Sequence, residues 1–231
     1  PRDMARYLAA LLAGGRAPDG TRILRDETVA RMVAPQYTPD PRIPGMGLGF
    51  FRARVGGRDV AGHQGTIPGY HSAVTFAPAD GVAAMAFTNG ARMPDFWLPA
   101  AVHHLLAAAL GEDGPVVGRA PPRPDLWEDQ CGWYMLDARA TDVRLRGMLG
   151  AGAEVFVRGG RLMLRFLTPM PALALGLPLM PDDVHDPHAH RIDLPGEDTE
   201  PIRVVFAQGP DGATERLCLD IMPLVLRKRR G

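Results

Sequence analysis

The residues that could take part in catalysis are concentrated in the stretch 62–72, which reads GHQGTIPGYHS. His63 carries an imidazole that can donate or accept a hydrogen bond near neutral pH. Ser72 is the only serine of the chain and suggests a Ser-His-Asp hydrolase. However, Tyr70 and Val74 occupy the positions where a nucleophile elbow has glycines. Ser72 is therefore interpreted as a strand serine and not as a nucleophile.

The sequence around this stretch predicts three or four antiparallel strands in series. The glycine pair 56–57 is a two-residue hairpin signal between the strand-like segments 47–54 and 58–63. Residues 70–77 are predicted to form the next strand. After a turn rich in proline and glycine, residues 82–88 return as an apolar strand.

Helices are predicted before and after these strands. Apolar residues follow Asp3 at the i, i+3, i+4 spacing, so Asp3 is expected to cap a helix that the glycines 14–15 end. Asp26 is expected to cap a second, shorter helix. Asp95 is expected to cap a third, over residues 96–110, whose apolar stripe is suited to packing across the sheet.

The chain is long enough for one large or two modest domains, and composition places a boundary between them. Residues 112–125 are rich in proline and glycine, as linkers are. The short strands predicted after them are separated by Gly, Pro and Asp, and they cover residues 132–136, 142–149, 153–157, 161–167, 191–194, 202–207 and 215–226. Seven or eight such strands favour a small antiparallel barrel or sandwich. We therefore predict a domain over 1–111, a linker over 112–125 and a β-barrel domain over 126–231.

The stretch around His63 resembles the β-lactamase and penicillin-binding-protein-like serine hydrolases, especially the class C-like esterases and D-aminopeptidases. In that family a His-x-Gly often replaces the Lys-Thr-Gly triplet, and residues 63–65 read His-Gln-Gly. The order of strand, Pro-Gly turn, strand, Pro-x-Asp-Gly turn and strand ending Thr-Asn is also similar to the family. Residues 132–134, Gly-Trp-Tyr, resemble the opening of the lipocalin-like barrel that such hydrolases often carry.

This resemblance implies an α+β fold. The C-terminal part of a β-lactamase-like domain, an antiparallel sheet with flanking helices, would be followed by a small antiparallel β-barrel of lipocalin-like type.

The resemblance also implies roles for individual residues. Thr66, which follows the glycine of His-x-Gly, would offer its backbone N–H to the oxyanion formed during acyl transfer. Gly65 would leave room for a substrate lying along the strand. His63 would face the pocket and hydrogen-bond the substrate or the other catalytic residues. Substrate contacts are expected from three further residues: Gln64, Tyr70 and Asn89.

Two other motifs of the family are absent from the chain. Ser-x-x-Lys requires a serine three residues before a lysine, but the only lysine is Lys228 and it has Val225 at that position. The only asparagine, Asn89, has Phe87 where Tyr-x-Asn or Ser-x-Asn requires tyrosine or serine. The chain also starts at a proline, without an initiating methionine. We therefore expect a C-terminal fragment of a serine hydrolase, lacking the nucleophile and inactive by itself.

As a full-length protein, this hydrolase would act on esters, amides or β-lactam-like substrates through an acyl-serine intermediate. No metal or organic cofactor is expected. Its partners would be a small-molecule acyl substrate and the missing N-terminal half of the hydrolase domain. The alternative is a non-catalytic binding or regulatory module whose lipocalin-like barrel holds a small apolar ligand or covers a partner hydrolase.

Composition excludes several other classes of function. The 26 basic and 26 acidic residues balance, so no nucleic-acid partner is expected. No apolar run reaches the roughly 18 residues of a membrane span.

Cys131 and Cys218 are expected to be buried thiols rather than a disulfide. Three histidines near aspartates, His185, His188 and His190, are interpreted as a solvated loop and not as a metal site. A soluble protein is expected, with bacterial cytoplasm and periplasm both open because the chain carries no targeting segment.

Overall fold

The computed structural model describes residues 1–90, 97–112, 120–136, 150–168, 171–194, 200–221 and 224–229. The predicted strand over 142–149 and the predicted cap at Asp95 lie outside these ranges. The chain divides into two units. The first consists of Pro1–Thr38, Pro44–Val116 and a short segment ending at Glu200, and the second of Pro39–Ile43, Val117–Leu194 and Pro201–Gly231. The domain boundaries proposed from the sequence stay a prediction.

Among its described residues, the first unit contains three helices, α1 (Arg2–Leu12), α2 (Asp26–Val33) and α3 (Trp97–Ala109). Asp3 and Asp26 lie in the first turns of α1 and α2, and the caps are Pro1 and Arg25. The capping roles expected for the two aspartates were therefore wrong. A first-turn carboxylate still interacts favourably with the helix dipole, and Asp26 also accepts a hydrogen bond from Arg22 at 2.8 Å.

Four antiparallel strands form the sheet of this unit in the order β1-β2-β3-β4. They are β1 (Phe51–Val55), β2 (Arg58–Ile67), β3 (Tyr70–Ala77) and β4 (Val82–Thr88). Glycine pairs and Pro-Gly pairs turn the chain between neighbouring strands, as the sequence predicts. In particular, Gly56, Gly57 and Gly69 have positive φ values of 56°, 75° and 85°.

Helices cover both faces of this sheet. Residues of α1 and α2 pack on one face in a core made of Leu8, Leu11, Val29, Phe50, Ala61, Val74 and Phe76. Residues of α3 pack on the other face, in two clusters that contain Val55, Val60, Ala77, Leu106 and Ala107, and Ala73, Leu98 and Val102. Because side chains alternate along a strand, each strand contributes to both cores. An antiparallel sheet with flanking helices is therefore confirmed.

The described part of the second unit forms a nearly closed antiparallel sheet of nine strands. The strands are β5 (Gly132–Leu136), β6 (Gly152–Arg158), β7 (Arg161–Phe166), β8 (Leu177–Pro178), β9 (Met180–Pro181), β10 (Ala189–Ile192), β11 (Ile202–Gln208), β12 (Thr214–Leu219) and β13 (Leu224–Lys228). The first strand, β5, pairs with the last, β13, in the middle of this barrel-like sheet. Its two ends, β8 and β9, are joined by the buried Leu179. Its lipocalin-like character stays a prediction.

One predicted strand of this unit was wrong. Residues 215–226 form the hairpin of β12 and β13 rather than a single strand. The reversal occurs after Leu219, where Asp220 accepts the backbone N–H of Arg203 at 2.9 Å. A polar residue that hydrogen-bonds the neighbouring strand's backbone favours a turn over continued pairing.

The barrel-like sheet encloses an apolar core with a buried tyrosine. The Tyr134 ring lies 6.3 Å from Phe206, and its hydroxyl donates to the backbone carbonyl of Gln130 at 2.6 Å. Gln130 ends the short helix α4 (Trp127–Gln130). In the same helix, Asp129 accepts the backbone N–H and the hydroxyl of Thr214 at 2.9 and 2.6 Å. These bonds fasten α4 to the sheet. A second short helix, α5 (Pro171–Ala174), lies between β7 and β8.

The free cysteines Cys131 and Cys218 do not form a disulfide, and Cys218 is buried. Among the described residues, no helix has both the length and the apolar character needed to cross a bilayer.

Residues 39–43 pack within the second unit. Ile43 is buried against Val205 and Cys218. Arg42 donates to both carboxylate oxygens of Asp40, at 2.7 and 2.9 Å, and to Asp186 at 3.0 Å. Arg42 therefore joins the loop to the segment before β10.

Asp40 should make the stability of the second unit depend on pH. Burial would raise the pKa of this carboxyl, but hydrogen bonds from Arg42 outweigh burial and hold the pKa below its ordinary value. A lowered folded-state pKa stabilises the protein above the unfolded pKa, and the contribution is lost as pH falls through the folded value. We expect Asp40→Asn to cost about 1–3 kcal/mol at neutral pH, a loss that shrinks on acidification. Urea unfolding as a function of pH measures this.

The matched control is Asp125→Asn. Asp125 and Arg123 form the same i, i+2 pair at 2.7 Å, but their side chains are 57% and 52% exposed. Solvent screens such a pair, so no measurable change is expected. Equal effects of the two substitutions at every pH would contradict the role of Asp40.

Candidate functional site

The end of strand β2 extends beyond its neighbour β1. The first residue of β1, Phe51, is paired with Gly62, and β2 continues for five residues to Ile67. This overhang, residues 63–67, is paired with β3 on its other side. Within the described part of the chain, no strand pairs with the overhang on the β1 side.

The register of the β2–β3 hairpin determines where the backbone groups of the overhang point. Ile67 pairs with Tyr70 across the two-residue turn of Pro68 and Gly69, so this pair must exchange hydrogen bonds. Hydrogen-bonded pairs then recur at every second residue, and the N–H groups of the residues between them point away from β3. Gln64 and Thr66 are two such residues.

The amide of Thr66 therefore faces the open side of β2. The residue itself is exposed, and its partner in the register is His71, in a pair that does not exchange backbone hydrogen bonds. The predicted oxyanion donor is therefore neither buried in the interior nor hydrogen-bonded to β3. Its role stays a prediction.

The side chains of the predicted site divide between the two faces of the sheet. His63 and Gly65 lie on the same face of the sheet as Ala61, which packs against α1 and α2. Tyr70 lies on this face too, at the hairpin end of β3. Gln64 and Thr66 lie on the opposite face. His63 is exposed, and the side chain of Tyr70 is 61% exposed.

Asn89 lies apart from the other predicted residues. It follows the end of β4, where Thr88 pairs with His71, and it is exposed. β4 is separated from β2 by β3, so Asn89 and Thr66 are two strand spacings apart, or about 10 Å. The structure thus brings His63–Thr66 together on one strand and places Asn89 at the same end of the sheet but not beside them.

His63 makes an aromatic contact that the sequence analysis did not predict. Phe51 lies 5.4 Å from the imidazole, with an interplanar angle of 33°. A tilted ring at this distance limits the orientations open to the imidazole. The strand pairing does not predict this contact, because Phe51 pairs with Gly62, and His63 projects to the opposite face of the sheet.

The β-lactamase family model matches residues 1–109. This segment contains the three helices and four strands of the first unit, and every residue predicted for the site lies within it. No curated protein matches the chain.

Solved structures extend the likeness in fold to most of the chain. The crystal structure of SurE with D-Leu aligns with 96% of this chain and 49% of its own, at 18% identity and a TM-score of 0.56. A second SurE crystal structure aligns with 96% and 47%, at 20% identity and a TM-score of 0.55. The octameric penicillin-binding protein homologue from Pyrococcus abyssi aligns with a TM-score of 0.41 over 98% of this chain and 46% of its own, at 18% identity. The chain spans about half the length of these proteins.

Among the described residues of the whole chain, no three His, Cys, Asp or Glu side chains are placed to hold a metal ion.

Ser72 is half-buried, and its hydroxyl lies 3.4 Å from the carbonyl oxygen of Gly65. This contact fits the strand serine expected from the sequence.

Two glycines of β2 should respond differently to alanine. A Cβ on Gly62 would lie 2.4 Å from the backbone oxygen of Val74, whereas a Cβ on Gly65 would meet only the hydroxyl of Ser72, at 3.3 Å. We expect Gly62→Ala to lower the free energy of unfolding by about 1–3 kcal/mol, because backbone must move. Gly65→Ala should change it by less than about 1 kcal/mol, since a strand alanine also loses less chain entropy on folding. Denaturant unfolding of both variants tests this, and a larger cost for Gly65→Ala would contradict it.

Proposed function

We propose that the overhang of β2 is one wall of the active site of a serine hydrolase that transfers or hydrolyses acyl groups. The observation that carries the proposal is the amide of Thr66, which is directed to the open side of an exposed strand. An acyl-transfer transition state develops negative charge on the former carbonyl oxygen, and a fixed N–H donor directed at that oxygen stabilises it. Esters, amides and β-lactam-like molecules are the substrate class.

The neighbouring residues support this role by leaving the strand accessible. Gly65 has no side chain, so an acyl group can lie against the backbone beside Thr66. Gln64 also directs its N–H and C=O to the open side, so an extended substrate can hydrogen-bond both residues as an added strand would. Tyr70, the first residue of β3 after the turn, is exposed on the same face of the sheet as Gly65.

His63 is proposed to donate or accept a hydrogen bond at the start of the overhang, where β1 ends its pairing with β2. Its imidazole is exposed and lies against Phe51, which leaves the ring nitrogens available while fixing the plane of the ring. A histidine here takes the position at which the family often has a lysine.

The nucleophile and its base are proposed to come from residues outside this chain. Neither Ser-x-x-Lys nor Tyr-x-Asn occurs in its sequence. An oxyanion donor without a nucleophile gives only a weak residual rate. The coding sequence directly upstream of Pro1 tests this part of the proposal. An in-frame Ser-x-x-Lys and Tyr-x-Asn would support it, and a start codon close to Pro1 would favour the binding-module alternative.

Covalent labelling tests whether the chain contains a nucleophile. We expect no stoichiometric labelling of residues 1–231 by a fluorescent β-lactam or a fluorophosphonate, because the single serine is a strand residue bonded to Gly65. Mass spectrometry of the intact protein measures the result. Labelling at Ser72 would show that the nucleophile had been assigned wrongly.

The amide of Thr66 can be tested by removing it alone. In a longer protein that contains this chain and a Ser-x-x-Lys segment, Thr66→Pro removes the N–H while keeping a strand-compatible backbone at an open edge. We expect the acylation rate to fall by about 10²–10³-fold, the usual cost of one oxyanion donor. Thr66→Ala keeps the N–H and is the matched control, with a rate within a few-fold of the parent. Similar losses in both variants, with folding intact, would rule out the backbone donor.

A further inference from the structure

Four strands of the second unit are strongly basic, although the charges of the whole chain balance. Glu154 is the only acidic residue of β5, β6, β7 and β13. Their basic residues are Arg158, Arg161, Arg165, Arg227 and Lys228. Arg229 directly follows β13. Folding therefore concentrates positive charge on one part of a chain that has no net charge.

The strand register places most of these arginines on the face that points away from the apolar core. Trp133 of β5 pairs with Glu154 of β6, and Glu154 pairs with Arg165 of β7. Their chain neighbours belong to the core, so these three side chains point outward. The amide of Arg229 donates to the carbonyl of Trp133 at 2.7 Å. Arg229 therefore extends the same row across a fourth strand, with neighbouring strands about 4.8 Å apart.

Two further arginines lie beside this row, around the ring of Phe156. The guanidinium carbons of Arg158 and Arg165 are 5.7 and 5.2 Å from the ring centroid. Arg158 is also directly opposite Arg161 across the hairpin of β6 and β7. Like charges in directly opposed positions repel each other and destabilise a sheet. An anion bound at this hairpin would relieve the repulsion.

Only part of this positive charge is neutralised within the described residues. Arg165 forms an ion pair with Glu154. Arg158 donates to the backbone carbonyl of Leu175 at 3.2 Å, and this neutral acceptor leaves its charge uncompensated. Arg161 and Arg229 are exposed, and neither has an ion-pair partner in the described part of the chain. The excess charge fits an anionic partner.

Exposed apolar side chains lie on the same face. The side chain of Leu175 is 70% exposed, and that of Trp133 is 42% exposed. A Cβ on Gly176 would lie 3.2 Å from the ring of Phe156, so the segment that carries Leu175 lies against this face. Apolar tips among arginines are typical of protein surfaces that lie in the interfacial region of a bilayer.

We propose that this arginine face docks onto the surface of an anionic phospholipid bilayer. The face consists of Arg158, Arg161, Arg165 and Arg229 with Trp133, Phe156 and Leu175. Its guanidinium groups hydrogen-bond lipid phosphates, whose oxygens match the planar fork of arginine. Leu175 and Trp133 enter the interfacial region. The inference does not depend on the proposed acyl transfer, whose residues lie in the other unit.

A single-stranded nucleic acid fits the arginine face less well. Such polymers need several aromatic rings with open faces, on which successive bases stack. Two guanidinium groups already lie over Phe156, so Trp133 is the exposed ring of the described part of this face. Base stacking would also leave Leu175 without a role.

Co-sedimentation of the 231-residue chain with lipid vesicles measures this binding. One set of vesicles contains phosphatidylglycerol and phosphatidylcholine in equal parts, and the other contains phosphatidylcholine alone. We expect the chain to sediment with the anionic vesicles only. The bound fraction should fall as sodium chloride is added, because salt screens the attraction between exposed charges. Equal binding to both sets, or no binding to the anionic set at low salt, would overturn the proposal.

Paired substitutions separate the arginine face from net charge. Arg161→Gln combined with Arg229→Gln should weaken binding to the anionic vesicles about 10–30-fold, since each arginine near the surface contributes to the attraction. Arg25→Gln combined with Arg31→Gln removes the same charge from exposed positions of the first unit. This control should stay within about twofold of the parent, because charges away from the contact are screened. Equal losses in the two double variants would refute the face.

Leu175→Ser tests the apolar contact. The side chain is exposed, so folding should be unaffected, and loss of its insertion should lower the affinity about fivefold. Fluorescence anisotropy with an oligodeoxythymidylate is the competing test. Tight binding of that probe, lost in the Arg161 and Arg229 double variant, would assign the face to nucleic acid and overturn the proposal. The vesicle comparison uses the unmodified chain and decides the matter even if a variant does not fold.

Discussion

The register of the β2–β3 hairpin is the constraint on which the candidate site depends. A two-residue Pro-Gly turn forces Ile67 and Tyr70 to be a hydrogen-bonded pair, and the alternation of the ladder then fixes every backbone group along β2. The site is thus specified by a turn that contributes little contact of its own.

The length of β1 is the second condition. The amides of Gln64 and Thr66 are available because β1 begins at Phe51, opposite Gly62. An open strand edge is usually a liability, since it invites pairing with other chains. In a hydrolase the same unpaired groups bind an extended substrate. The proposed function therefore accounts for the unpaired edge of the overhang, residues 63–67, in a sheet whose two faces are otherwise covered by helices.

The two units handle buried polar groups differently. In the barrel-like unit, the Tyr134 hydroxyl and the Asp129 carboxylate have close partners that fasten α4 to the sheet. His190 is the contrasting case, since burial leaves Nδ1 without a partner among the described residues. Such unsatisfied groups are rare in folded proteins and point to something the packing does not explain.

The sequence by itself determined the strands and turns of the first unit, because their signals are local. Glycine and proline at defined positions set the hairpins, and apolar periodicity set the helices. The sequence also excluded a nucleophile of the Ser-x-x-Lys type, since composition alone removes that motif. It misjudged the caps at Asp3 and Asp26 and merged β12 with β13, because those features depend on hydrogen bonds to neighbouring elements.

Tertiary structure alone decided which residues meet. The contact of Phe51 with His63 and the separation of Asn89 from Thr66 both follow from strand order, which no single segment encodes. His190 is the clearest example, since in the sequence it belongs to a polar loop of histidines and aspartates, and in the structure it faces an apolar core. His190 is buried because β10 pairs with β11 and the imidazole packs against Phe206, so local composition could not reveal it.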